Sequence, residues 1–248
     1  MRSASTDRLA DGRGASETLG FVLVFGLVVS TVAVTYAGGF DALTGARDAQ
    51  QFENTERAFD VLDSNVDDLA VRGAPSRTTE IQLSDGAIEF GDPVTFNVSA
   101  GGGDDYETTV RPVVYRADDG DRIVYANGAL FRQYGDRAVM FDEPRFAVGD
   151  RSLVPYVITR AGSDGVSTDD SRRLLVRTTA TDREVRTFPD GAANLTVESP
   201  RAAAWERYFE DDLGVACDGP EDGRVGEVEC SLPNEVYVQA VVVRVDLG

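Results

Sequence analysis

From Leu19 to Phe40 the chain carries 22 residues without a charge, and no other stretch restricts the fold so strongly. As an α-helix the run extends about 33 Å at 1.5 Å per residue, which matches a bilayer hydrocarbon core of roughly 30 Å. Arg2, Arg8 and Arg13 precede it, and only Arg47 follows closely. By the positive-inside tendency this leaves the N-terminus cytoplasmic and the rest of the chain outside.

The run is entered through Arg13-Gly14-Ala15-Ser16-Glu17-Thr18-Leu19-Gly20-Phe21. Three readings compete: an uncleaved membrane anchor, a secretory signal cut after Thr35-Tyr36-Ala37, and a leader cut before the apolar run. A secretory apolar region spans about 7 to 15 residues, shorter than this one. The stretch R-G-A-S-E-T-L-G-F followed by a Val/Leu/Phe-rich helix resembles the class III leader of archaeal type IV pilins, and is similar to a haloarchaeal pilin-like group of unassigned function. The resemblance implies a prepilin peptidase that removes a leader, residues 1–14, between Gly14 and Ala15. It also implies that the freed helix packs with other pilin-like subunits in a filament or membrane assembly.

Glu17 carries two readings. A carboxylate in the first turn gains about 0.3 to 1 kcal/mol from the helix dipole; by the pilin resemblance it compensates the free amine of Ala15 on a neighbouring subunit, where an unpaired charge is expensive. Further along, Gly26, Ser30, Ala33 and Ala37 recur at spacings of four, three and four, so they share one helix face. Such a small-residue stripe permits close helix approach in lipid.

Beyond the run, Phe52, Phe59, Leu62, Val66 and Leu69 recur at intervals of seven, three, four and three, an amphipathic continuation of the same helix. Arg72, Gly73 and Pro75 supply its stop. This divides the chain into a leader (1–14), a transmembrane and stalk helix (15–73) and a head (74–248). The apolar stalk face must pack on the head or on another subunit.

From Thr78 onward the period changes to two. Short strands separated by turn residues, among them Ser84-Asp85-Gly86 and the strong hairpin signal Asn127-Gly128, predict an antiparallel sandwich or barrel. Thr109 to Arg116 reads as one strand. Ser199-Pro200 reads as the start of a short helix through Trp205 and Phe209 to Gly214, and Glu235 to Leu247 as a central strand. The fold class is therefore α+β: a long N-terminal helix carrying a β-rich head with one short helix.

The formal charge is −19, with 43 acids against 24 bases, and every base is arginine. Such acidity resembles proteins of halophilic archaea, where salt screens self-repulsion, and it argues against nucleic acid as a partner. Without histidine there is no histidine general base, catalytic triad or imidazole metal site. No nucleotide-binding or nucleophile-elbow motif occurs, and the Asp-rich turns fit no calcium loop, so neither a cofactor nor an enzymatic role is expected.

Cys217 and Cys230 are the only cysteines, and outside the membrane a disulfide between them is expected; the alternative is a metal or redox pair, against which the spacing, not C-x-x-C, and the lack of further ligand cysteines speak. Asn97-Val98-Ser99 and Asn194-Leu195-Thr196 are glycosylation sequons whose phase places the asparagines on the polar side of their strands. The function expected is that of a minor pilin or pilin-like assembly or adhesion subunit on the cell surface. The alternative is an anchored surface protein whose head binds a carbohydrate or other ligand; a third is a hydrolase using paired carboxylates.

Overall fold

The computed structural model describes residues 13–83, 86–101, 103–168, 171–188, 193–220 and 226–248. Most of the expected leader thus lies outside the described residues, as do the side chains of Ala15 and Glu17. The polypeptide forms two compact units, one up to Gln50 and one from Gln51 to Gly248.

One helix, α1 (Arg13–Ala70), enters both units. In the first unit its described side chains are exposed, and a Cβ added at Gly20, Gly26, Gly38, Gly39 or Gly45 would meet nothing within 4 Å. In the second unit Phe59, Leu62, Val66 and Leu69 are buried. The stalk seam therefore packs on its own head. After Ala70 the helix stops as its residues dictate: Gly73 takes a φ of 75°, and Arg183 donates to the carbonyl oxygens of Leu69 and Ala70, a cation placed at the negative end of the helix dipole.

The strands, in chain order, are β1 (Ser76–Leu83), β2 (Gly86–Phe90), β3 (Val94–Ala100), β4 (Asp104–Val110), β5 (Val113–Ala117), β6 (Arg122–Ala126), β7 (Ala129–Tyr134), β8 (Arg137–Asp142), β9 (Arg151–Ala161), β10 (Val166–Thr168), β11 (Arg172–Phe188), β12 (Ala193–Ser199), β13 (Cys217–Asp218), β14 (Gly226–Leu232) and β15 (Glu235–Leu247). They form three sheets, ordered β1-β11-β15-β9, β10-β2-β5-β6-β7-β8 and β13-β14-β12-β3-β4. All pairings are antiparallel except β15 with β9. A short helix α2 (Ala202–Arg207) runs into a π-helical turn, Tyr208–Asp212. The α+β class is borne out.

Two apolar cores share the middle strands. Val114, Val124 and Phe131 face a core built with Phe96, Trp205 and Phe209; Val113, Tyr115, Ile123, Tyr125 and Leu130 face a second core built with α1. Strands buried on both faces must be apolar at consecutive positions, which is what Val113-Val114-Tyr115 and Ile123-Val124-Tyr125-Ala126 supply. In β15, Val236, Val238 and Ala240 serve the first core and Val241, Val243 and Val245 the second. These even- and odd-numbered side chains leave opposite faces of one regularly alternating strand. In the neighbouring β11 the register shifts between Ala180 and Asp182, opposite Val243 and Val242: Thr181 is the extra residue of a bulge, its hydroxyl bonded to the Val242 carbonyl at 3.2 Å.

Local structure departs from the sequence expectations in three places. The Ser84-Asp85-Gly86 hairpin does not form, because β1 pairs with β11 and β2 with β5; Ser84 and Asp85 themselves lie outside the described residues. A Cβ on Gly86 would fall 2.7 Å from the Arg116 carbonyl oxygen, so this glycine answers a close approach, not a turn. The strand expected from Thr109 to Arg116 is two strands in different sheets, parted at Arg111-Pro112, since proline donates no ladder bond. The short helix begins at Ala202, not at Pro200: Ser199 ends β12, and its Oγ accepts from the Arg201 backbone N–H at 3.0 Å. The Asn127-Gly128 turn forms as expected, both residues at positive φ (53° and 74°).

Candidate functional site

The first unit is chemically spare. Gly26, Ser30, Ala33 and Ala37 are exposed on α1 among exposed Phe21, Leu23, Phe25 and Leu27, and the helix is long and apolar enough to cross a membrane. Two of its hydroxyls bond back to the helix: Thr31 Oγ1 donates to the Leu27 carbonyl at 2.7 Å and Thr35 Oγ1 to the Thr31 carbonyl at 2.9 Å. Back-bonding of this kind removes polar groups that hydrocarbon would leave unsatisfied.

In the second unit α1 brings its acids against the head. Glu56 takes two hydrogen bonds from Arg132 at 2.5 Å each, the bidentate geometry that makes carboxylate–guanidinium pairs specific. One turn on, Asp60, Asp63 and Asp67 project on one side of the helix into a cavity of 430 Å³ that Asp142, Glu143 and Arg145 also line. Arg145 Nε donates to Asp67 Oδ2 at 2.6 Å. Across the cavity Asn127, 1% exposed, accepts from the Val157 backbone N–H at 2.7 Å, while its Nδ2 has no partner among the described residues.

Asp63 is the group this arrangement perturbs. Burial first, then the neighbouring Asp67 and Asp142 charges, push its carboxyl from 3.8 up to about 8, with Arg145 opposing and Asp60 adding to the rise. The folded carboxyl thus keeps a proton that the unfolded chain releases near its ordinary value, and stability falls as pH rises from about 4 to about 8. Asp63→Asn is expected to remove that slope and to raise the unfolding temperature most at the alkaline end. Melting curves of both proteins from about pH 5 to about pH 9 at fixed salt check it; parallel curves would contradict it. No group of three or more acidic or cysteine side chains among the described residues is arranged to hold a metal ion.

A family of unknown function, DUF7289, matches residues 13–247. The chain belongs to DUF7289. No curated protein matches, and no solved structure does. The DUF7289 match takes in α1 and all the sheets together, so the apolar helix is a constituent of the family and not an appendage to its head.

The remaining expected sites of this DUF7289 chain lie on the third sheet. Asn97 in β3 and Asn194 in β12 are half-buried on its outer side, and the two sequons interlock: Asn97 stands opposite Thr196 and Asn194 opposite Ser99. Asn194 Nδ2 donates to Glu229 at 2.5 Å. Cys217 and Cys230 are opposite each other on β13 and β14 and form a disulfide. Closing a loop of this size is worth about 3 kcal/mol on the chain-entropy model, so reduction is expected to lower the unfolding temperature by roughly 6 to 12 °C. Calorimetry with and without reductant tests this, and coincident melts would contradict it. Sequence reasoning missed the acidic cavity, although Asp60, Asp63 and Asp67 have the spacing of one helix face.

Proposed function

We propose that this protein is a pilin-like subunit of the cell surface, anchored by α1 with its head outside, and that α1 is the surface through which it assembles with other pilin-like chains. The observation that carries the reading is the exposure of the apolar helix, from Leu19 to Leu43, among the residues of its own unit. A helix apolar on all sides must be covered by lipid or by other helices, and the small-residue stripe gives helices a place to approach closely. The role is structural, in assembly or adhesion, and the acidic surface disfavours nucleic acid. The disulfide is suited to an oxidising exterior, and the sequons are the positions where such a protein would carry sugar.

Processing by a prepilin peptidase belongs to the same proposal. The mature chain is expected to begin at Ala15, and Gly14→Val, which puts a branched side chain at the cut, is expected to leave the leader attached. N-terminal sequencing of the native membrane-associated protein tests this, and a chain beginning at Met1 or Arg2 would overturn it.

A further inference from the structure

A second cavity of 430 Å³ lies between α2 and β8, and three arginines line it: Arg137, Arg201 and Arg207. None of these three forms an ion pair among the described residues. Asp136 stands exposed at the rim.

Arg201 is the informative residue. It is 7% exposed, so its guanidinium has lost most of its water. One nitrogen donates to Gln133 Oε1 at 3.1 Å, and the charge lies over the Phe131 ring, 5.7 Å from its centroid. Nε has no acceptor among the described residues. Burial, and then the charge of Arg122, push its pKa down to about 10 against the weaker pull of Asp92.

A buried charge left with an open donor is expensive unless an anion completes it. Its position is also well determined. The Arg201 backbone N–H is bound to Ser199 Oγ at 3.0 Å, its carbonyl accepts from Ala204 and Trp205, and Trp205, 0% exposed, anchors α2 in the aromatic core. Arg207 is tied to the opposite wall, donating to the Ala138 carbonyl at 2.9 Å. Val139, Pro200 and Ala203 supply an apolar wall beside the charges.

We propose that this cavity is an oxyanion site, in which Arg201, Arg207 and Arg137 receive the carboxylate or phosphate group of a small acidic ligand whose apolar part rests on Val139, Pro200 and Ala203. Guanidinium groups suit this chemistry, because their planar fork matches the oxygens of either group. The site is independent of the assembly reading, since it lies wholly within the second unit.

Full-length protein in detergent micelles, titrated separately with inorganic phosphate and with acetate against chloride at equal ionic strength, tests the proposal. Phosphate or acetate is expected to raise the unfolding temperature as a bound ligand does, and chloride is not. Which of the two acts distinguishes a phosphoryl from a carboxylate ligand. Arg137→Gln and Arg207→Gln, both at exposed side chains, are each expected to weaken binding about tenfold, the loss of one charge-assisted hydrogen bond. Arg201→Met is expected to abolish binding without lowering the melting temperature of the ligand-free protein. An equal response to chloride, no response to either oxyanion, or binding unchanged in both glutamine variants would overturn the assignment.

Discussion

Phe59→Asp is expected to leave the head unfolded, whereas Val61→Asp, two residues away on the same helix, leaves it intact. Phe59 is 0% exposed and Val61 is 53% exposed. Phe59 packs with Leu62, Val66 and Leu69 into a core that also holds Ile81, Leu83, Leu174 and Val176. Removing a buried aromatic ring costs about 3 to 5 kcal/mol, and an aspartate in its place adds the cost of a charge or an unpaired polar group away from water, several kcal/mol more. Against a total stability of about 5 to 15 kcal/mol, the sum removes most or all of it. The exposed control should change stability by less than about 0.5 kcal/mol. Circular dichroism melts of the full-length variants in detergent decide the matter. A Phe59→Asp protein that melts like wild type would contradict the docking of α1 on its own head, and would return the stalk seam to contacts between subunits.

How much of this was legible in the sequence follows from how local each signal is. The apolar run, the seam Phe59-Leu62-Val66-Leu69, the Asn127-Gly128 turn and the apolar strand Glu235 to Leu247 are properties of contiguous residues, and all four appear as read. β15 is central, flanked by β11 and β9. Strand partners are a different matter, because a period of two says that a strand has a buried face and not which strand lies beside it. Hence Ile81 and Ile88, close in sequence, belong to strands in different sheets, and β9 runs parallel to a strand more than 70 residues away in sequence.

The cavities were hidden for the same reason. Asp63 meets Asp142, and Arg201 meets Gln133, only after the sheets are assembled. The bulge at Thr181 had no readable mark, since a threonine in a Thr-rich strand looks like any other. Pro112 did carry a mark: a proline inside a run of apparent strand argues for a break.

Gly26→Leu and Ala33→Leu are expected to abolish close association of α1 with its neighbours while leaving the protein in the membrane. The chain's own fold does not oppose either change: a Cβ at Gly26 meets nothing within 4 Å, and Ala33 is exposed. Leucine is a better helix former than glycine by roughly 0.5 to 1 kcal/mol, and it inserts readily into lipid. The helix itself is therefore preserved or strengthened. What changes is the reach of the side chain, because a seam of small residues lets two backbones approach to a distance that a leucine on that face forbids. If α1 were only an anchor, neither substitution would alter the protein's neighbours.

Chemical crosslinking of intact cells, comparing wild type with Gly26→Leu and Ala33→Leu at matched expression, separates these cases most directly. Assembly through α1 predicts crosslinked species in wild type that disappear in both variants, with all three proteins equally retained in the membrane fraction. Crosslinks absent from wild type, or persisting unchanged in both variants, would contradict it.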